Sequence, residues 1–151
     1  MNVTEALTYI HSVCWKGSIP GLSRTKELLA RMGNPEKRLR FVHIAGTNGK
    51  GSTAAMIASV LQKAGYRTGL YTSPYLFRFH ERMKVNGEDI TDGELAEITQ
   101  WVKPHAEAME DHPTEFELVT AIAMEYFARQ RCDIVVLEVG MGGEWDSTNV
   151  I

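Results

Sequence analysis

The chain has 151 residues, 44% of them hydrophobic and 23% charged, which suits one soluble globular domain with a sizeable core. A net charge of −3 with scattered basic residues excludes an extended nucleic-acid surface, because phosphate binding needs a basic stripe. Nothing at the start resembles a signal peptide, and no apolar run approaches the roughly 18 residues of a membrane span.

Cys14 and Cys132 fit no metal-ligand spacing and read as reduced thiols. A cytoplasmic protein with neither nucleic-acid nor membrane partners is expected. The loose cluster of Lys37, Arg38 and Arg40 reads as a solvated loop face.

In chain order, Leu7, Ile10 and Cys14 recur at helical spacing and predict a short helix over 4–13. "GSIPGLSR" reads as a turn. A second helix then carries Leu22, Thr25, Leu29 and Met32 on one face and ends near Gly33-Asn34-Pro35. "LRFVHIA" is a buried strand followed directly by the glycine loop "GTNGKGS". Ala54, Ile57, Ala58, Leu61 and Ala64 then give a helix that stops at Gly65. "RTGLYTS" is a short second strand, and 72–90 reads as a long loop with a turn at Asn86-Gly87.

Thr91 with Glu94, and Thr114 with Glu117, have the spacing of capping boxes. The second box opens "FELVTAIAMEYFA", a nearly all-apolar helix that should be buried on most sides. "DIVVLEVG" reads as a fully buried parallel strand with Glu138 near its C-terminal end. The alternation of strands and helices predicts an α/β fold: a three-layer, mostly parallel, doubly wound sheet of three strands with a phosphate loop. The Gly-rich "GMGGEWDSTNVI" at the end of the chain should lead into further strands, so a fragment of a longer enzyme with an open sheet edge is expected.

The glycine loop departs from the usual phosphate-loop spacing. Gly46 stands only three residues before Gly49-Lys50, and Gly51 occupies the slot that normally carries a metal-binding hydroxyl. Its glycines still let backbone N–H groups turn toward an anion, and the following helix adds its positive end. Lys50 can reach the outer phosphates of a nucleotide. A Gly-rich turn can also be a plain tight connection, but the strand–loop–helix context favours nucleotide binding.

Two replacements for the missing hydroxyl are open: Ser52, one position on, or an oxygen ligand from another strand end. Parallel strands gather their C-terminal ends at one site. Ser73 and Glu138 both belong there and suit a hard cation such as Mg²⁺. Ser73 can equally be a turn residue before Pro74, whereas a carboxylate ending a buried strand needs a partner.

"GTNGKGS", "TSPYL", "ERMKVNG" and "LEVGMGGEWDSTNV", together with the upstream "GLSR", resemble folylpolyglutamate synthase. That family is often bifunctional with dihydrofolate synthase and lies in the Mur ligase superfamily. The similarity runs along nearly the whole chain but covers only the front part of such an enzyme. Residues 1–151 would be the N-terminal part of the ATP-binding domain, with its remainder and a C-terminal glutamate-binding domain beyond Ile151.

The resemblance implies an ATP-dependent ligase that joins L-glutamate to dihydropteroate or reduced folates through an acyl phosphate. It implies that Gly46, Thr47, Asn48, Gly49, Lys50, Gly51 and Ser52 cradle ATP, with Lys50 catalytic, and that Ser73 and Glu138 bind Mg²⁺. It places the pterin against Gly21, Leu22, Thr114, Phe116, Asp146 and Ser147. Core packing for Leu22 and Phe116, a helix cap for Thr114 and a turn for Asp146 are the plainer readings of the same residues. The loop with Phe77, Phe79 and Arg82 would fold over the site.

The chain departs from the family at Glu144-Trp145, where an Arg-Leu pair is usual, and at Tyr75, where His is frequent. The full-length form is expected to be a monomer, and this length alone to self-associate and to be inactive. The rival readings are a generic phosphate-loop kinase, a peptidoglycan-precursor ligase and a nucleotide-binding module without turnover.

Overall fold

The computed structural model describes residues 1–17, 19–46, 48–138 and Val150. Five α-helices cover Val3–His11 (α1), Ser23–Arg31 (α2), Lys50–Lys63 (α3), Asp92–Glu107 (α4) and Glu115–Arg129 (α5). Five strands cover Phe41–Ile44 (β1), Thr68–Tyr71 (β2), Met83–Val85 (β3), Glu88–Asp89 (β4) and Ile134–Glu138 (β5). They form one sheet in the order β1-β5-β2-β3-β4.

β5 runs parallel to both of its neighbours, with Phe41 opposite Val135 and Thr68 opposite Ile134. Val135, Val136 and Leu137 are fully buried, as a strand covered on both faces requires. The α/β fold and its three parallel strands are as the sequence implies, but the sheet among the described residues has five strands rather than three, because β3 and β4 add antiparallel pairing beside β2. Among the described residues, the strand that comes last in sequence lies between β1 and β2.

The expected long loop over 72–90 is also corrected. Its first part is connecting chain ending in a 3₁₀ turn at Phe79–Arg82, and its second part is the β3–β4 hairpin. Asn86 and Gly87 both have positive φ, 50° and 82°, which is the two-residue turn that an Asn-Gly pair favours. β3 pairs antiparallel with β2, so this hairpin extends the parallel sheet on one side.

Both capping boxes form. Thr91 and Thr114 each accept from the backbone N–H three residues on, and Glu94 and Glu117 reach back to the cap. α5 is buried continuously from Glu117 to Ala128. It is the axle of the helical side of the molecule, with α1, α2 and α4 all packed on it. Burying one side chain such as Phe127 contributes about 1.5–3 kcal/mol, which is why one helix buried along most of its length can anchor three others. α3 packs on β1, β2 and β5 through Ala54, Ile57, Ala58 and Leu61, while Met56 and Val60 on its other side stay exposed. None of the helices is long and apolar enough among the described residues to cross a membrane.

Helix and sheet approach closely at Gly69 in β2. A Cβ placed there would lie 2.7 Å from Cδ1 of Phe127, inside van der Waals contact. Phe127 is wholly buried and Gly69 is locked between Val85 and Val135, so neither can retreat cheaply. Gly69→Ala should therefore destabilise the chain by about 1–3 kcal/mol, despite the better strand propensity of alanine. Urea unfolding checks this, and a midpoint at or above the wild-type value would show that the helix can shift.

Candidate functional site

β1 delivers the chain into the glycine loop, and α3 leads it away. Gly46 has φ 149° and Gly49, the residue capping α3, has φ 74°, so the loop bends where side chains would be strained. No acidic residue stands in the first turn of α3, so no carboxylate of the helix itself offsets its positive end. A Cβ on Gly46 would meet Cγ of Lys50 at 3.9 Å, so the lysine stem folds back over the loop. Asn48, Gly49, Gly51 and Ser52 are exposed beside it. Thr47 lies outside the described residues.

The C-terminal ends of β5 and β2 meet at this loop. Glu138 closes β5 and is buried, 7% exposed, an expensive place for a carboxylate. The backbone N–H of Ser73 donates to its Oε2 at 3.3 Å. The same oxygen is 3.9 Å from where a Cβ on Gly51 would be. One carboxylate oxygen thus accepts from the segment after β2 and lies near the helix entrance. Among the described residues no cationic side chain pairs with Glu138.

On the other side of β2, Leu22 is the N-cap of α2 and Phe116 lies in the first turn of α5. Leu22 is half-buried and stays outside the core, and Phe116 packs on the core's edge, stacked on Tyr71 at 6.3 Å between ring centroids. Thr114 is buried and does cap α5.

Glu117, 1% exposed, ties these segments together. It accepts from Arg24 Nε at 2.9 Å, from Thr25 Oγ1 at 3.3 Å and from the Thr114 amide at 2.8 Å. Arg24 also donates to the Ile19 carbonyl at 3.0 Å, which pins the turn holding Gly21. Its pKa is raised, first by the hydrogen bond to Glu117. Lys16 and Arg24 both hold Asp111, whose carboxyl sits below the usual range, chiefly through its hydrogen bond from Lys16.

Sequence reading missed the Arg24–Glu117 pair. The available signal was an acid at the third position of a helix otherwise destined for full burial, which requires a cation from elsewhere in the chain.

No protein-family model matches the chain. It is 50% identical over 152 residues to the dihydrofolate synthase/folylpolyglutamate synthase of Bacillus subtilis, an alignment that covers 97% of this chain and 35% of that protein. The apo form of Lacticaseibacillus casei folylpolyglutamate synthase superposes with a TM-score of 0.95 at 42% identity, over 100% of this chain and 38% of the other. The chain belongs to the folylpolyglutamate and dihydrofolate synthase family, and corresponds to its N-terminal part.

A folylpolyglutamate synthase in complex with AMPPCP and folate is equally similar, with a TM-score of 0.94 at 42% identity over 100% of this chain and 38% of that one. The chain spans about a third of the length of these synthases.

In synthase terms, the described residues group into two sides of one strand end. Gly46, Asn48, Gly49, Lys50, Gly51, Ser52, Ser73 and Glu138 lie on the loop side. Gly21, Leu22, Thr114 and Phe116 lie on the α2–α5 side. Asp146, Ser147, Glu144 and Trp145 lie outside the described residues. No group of three or more His, Cys, Asp or Glu side chains suited to a metal occurs among the described residues. Mg²⁺ is commonly held by only one or two carboxylates plus phosphate and water, and a buried carboxylate beside a phosphate-type loop, such as Glu138, fits that pattern.

Arg24→Ala would strand the Glu117 carboxylate in an apolar setting. A loss of about 3–5 kcal/mol is expected, against less for Glu117→Gln, which keeps an acceptor for Thr114. Chemical denaturation of the two variants measures the difference. Equal and small losses would mean that water replaces Arg24.

Proposed function

We propose that this chain supplies the ATP-binding and pterin-binding part of a ligase that adds L-glutamate to dihydropteroate, reduced folates or both. It would form the N-terminal part of the ATP-binding domain, with glutamate handled by further polypeptide of the kind its longer relatives possess. The observation that carries the reading is the meeting of Glu138 Oε2 with the Ser73 amide and the Gly51 end of α3. Family membership, and relatives bearing an ATP analogue and folate, support it.

In this reading, the loop N–H groups from Gly46 to Ser52 and the α3 N-terminus hold the ATP phosphates, and Lys50 adds charge at the outer ones. Ser73 and Glu138 would hold Mg²⁺, the serine hydroxyl standing in for the one absent at Gly51. Mg²⁺ supplies charge neutralisation for phosphoryl transfer. The substrate carboxylate attacks the γ-phosphorus and ADP leaves, giving an acyl phosphate. The glutamate amine then attacks the acyl carbon, phosphate departs and the amine proton goes to solvent.

These residues position and neutralise rather than take part covalently, as phosphoryl transfer requires. Gly21, Leu22, Thr114, Phe116, Asp146 and Ser147 would contact the pterin end. A nucleotide-binding module without turnover is the second reading, which the glycine loop and the N-terminus of α3 would serve equally well. Amide formation from ATP, Mg²⁺, glutamate and dihydropteroate separates the two.

Two variants test the loop side. Lys50→Ala should weaken ATP binding by about tenfold or more, which is about 1.4 kcal/mol, with little change in melting temperature. Glu138→Gln keeps the volume but removes the charge, so it should reduce Mg²⁺-dependent nucleotide binding more than metal-free binding. Titration calorimetry with and without Mg²⁺ reads both. Unchanged affinity in Lys50→Ala, or equal losses with and without metal in Glu138→Gln, would contradict the assignment.

A further inference from the structure

Arg82 takes no part in the site as described, yet it is the cation placed between the site's two sides. It ends the 3₁₀ turn Phe79–Arg82, and its carbonyl accepts from the Thr72 amide at 3.1 Å, one residue before Ser73. Its guanidinium carbon lies 5.4 Å from the Phe79 ring centroid and 5.9 Å from those of Tyr71 and Phe116. Its Nε is buried and has no hydrogen-bond partner. Among the described residues no carboxylate pairs with it, whereas Arg24, Arg78 and Arg129 each hold one.

Ring faces offset only part of the cost of desolvating a guanidinium, and its planar fork is built to receive two oxygens of one anion. The anion must approach between Phe116 on the α5 side and Ser73 on the loop side. A flat ring system lying against Phe116 and ending in a carboxylate meets that demand. The phosphates are already provided for by the glycine loop and Lys50 on the far side of Ser73.

We propose that Arg82 receives the carboxylate of the pteroyl ligand, the group to be phosphorylated, and orients it toward the glycine loop. The inference rests on the folate reading and sharpens it. Arg82 selects ligands by their carboxylate, while Phe116 and the α2 turn meet the pterin end.

The test compares pteroate with 6-methylpterin, which lacks the benzoate, on the whole chain by fluorescence or calorimetric titration. Arg82→Gln should weaken pteroate by about tenfold or more and leave 6-methylpterin within about twofold. Arg82→Lys, which keeps the charge and loses the fork, should fall between. Equal losses for both ligands would reduce Arg82 to a packing role and overturn the proposal, as would unchanged pteroate affinity. A loss of nucleotide affinity alone would assign the charge to phosphate instead. If Arg82→Gln does not fold, Arg82→Lys decides, and an unaltered preference for pteroate over 6-methylpterin overturns the idea. A wild-type chain that binds neither ligand removes the folate reading itself. One that binds both with equal affinity removes only the role of Arg82.

Discussion

The parallel pairing of β5 between β1 and β2 is the constraint from which the site follows. With β5 in the middle, the two segments that leave the C-terminal ends of its neighbours, the glycine loop after β1 and the Ser73 turn after β2, lie on either side of it. Glu138, the last residue of β5, then has nowhere to point except between them. Its contact with the Ser73 amide and its nearness to Gly51 are consequences of register. A one-residue slip in that register would turn Glu138 to the opposite face of the sheet and undo both.

The absent hydroxyl at position 51 acquires a geometric meaning here. Gly51 faces the Glu138 carboxylate with ordinary van der Waals room for one added carbon, so the site is spacious at the helix entrance and supplied with oxygen from the strand ends. The opposite side is rigid by contrast. Glu117, Arg24, Thr25 and the Thr114 amide lock the α2 turn to α5 in a buried polar network. The two sides meet at Tyr71, whose ring stacks on Phe116 and whose hydroxyl bonds Thr120 in the core.

Local chemistry was legible in the sequence wherever one segment decided its own conformation. Both capping boxes, the Asn-Gly turn, the glycine loop and the buried character of 134–138 were readable because each depends on neighbouring residues. The β3–β4 hairpin was not, because strands of three and two residues carrying Lys84, Glu88 and Asp89 show no period worth reading. Strand order was hidden for a different reason: the pattern that marks β5 as doubly covered does not say what lies beside it. Arg24–Glu117 was hidden because pairs distant in sequence leave no periodic trace. The convergence of Glu138 on the Ser73 turn needed both kinds of information, burial from the sequence and adjacency from the fold.

The placement of β5 also orders events during synthesis. β1 has no strand partner among the described residues until β5 has left the ribosome, and Arg24 waits 93 residues for Glu117. At about 5–20 residues per second, that interval is roughly 5–20 s. Throughout it α2 and β1 lack α5 and β5, the elements they chiefly pack on, and the apolar side of α2 with Leu28 and Leu29 is open to other chains. The apolar side of α2 is thus fully covered only once α5 appears, and a pause in translation within 50–110 would lengthen that exposure.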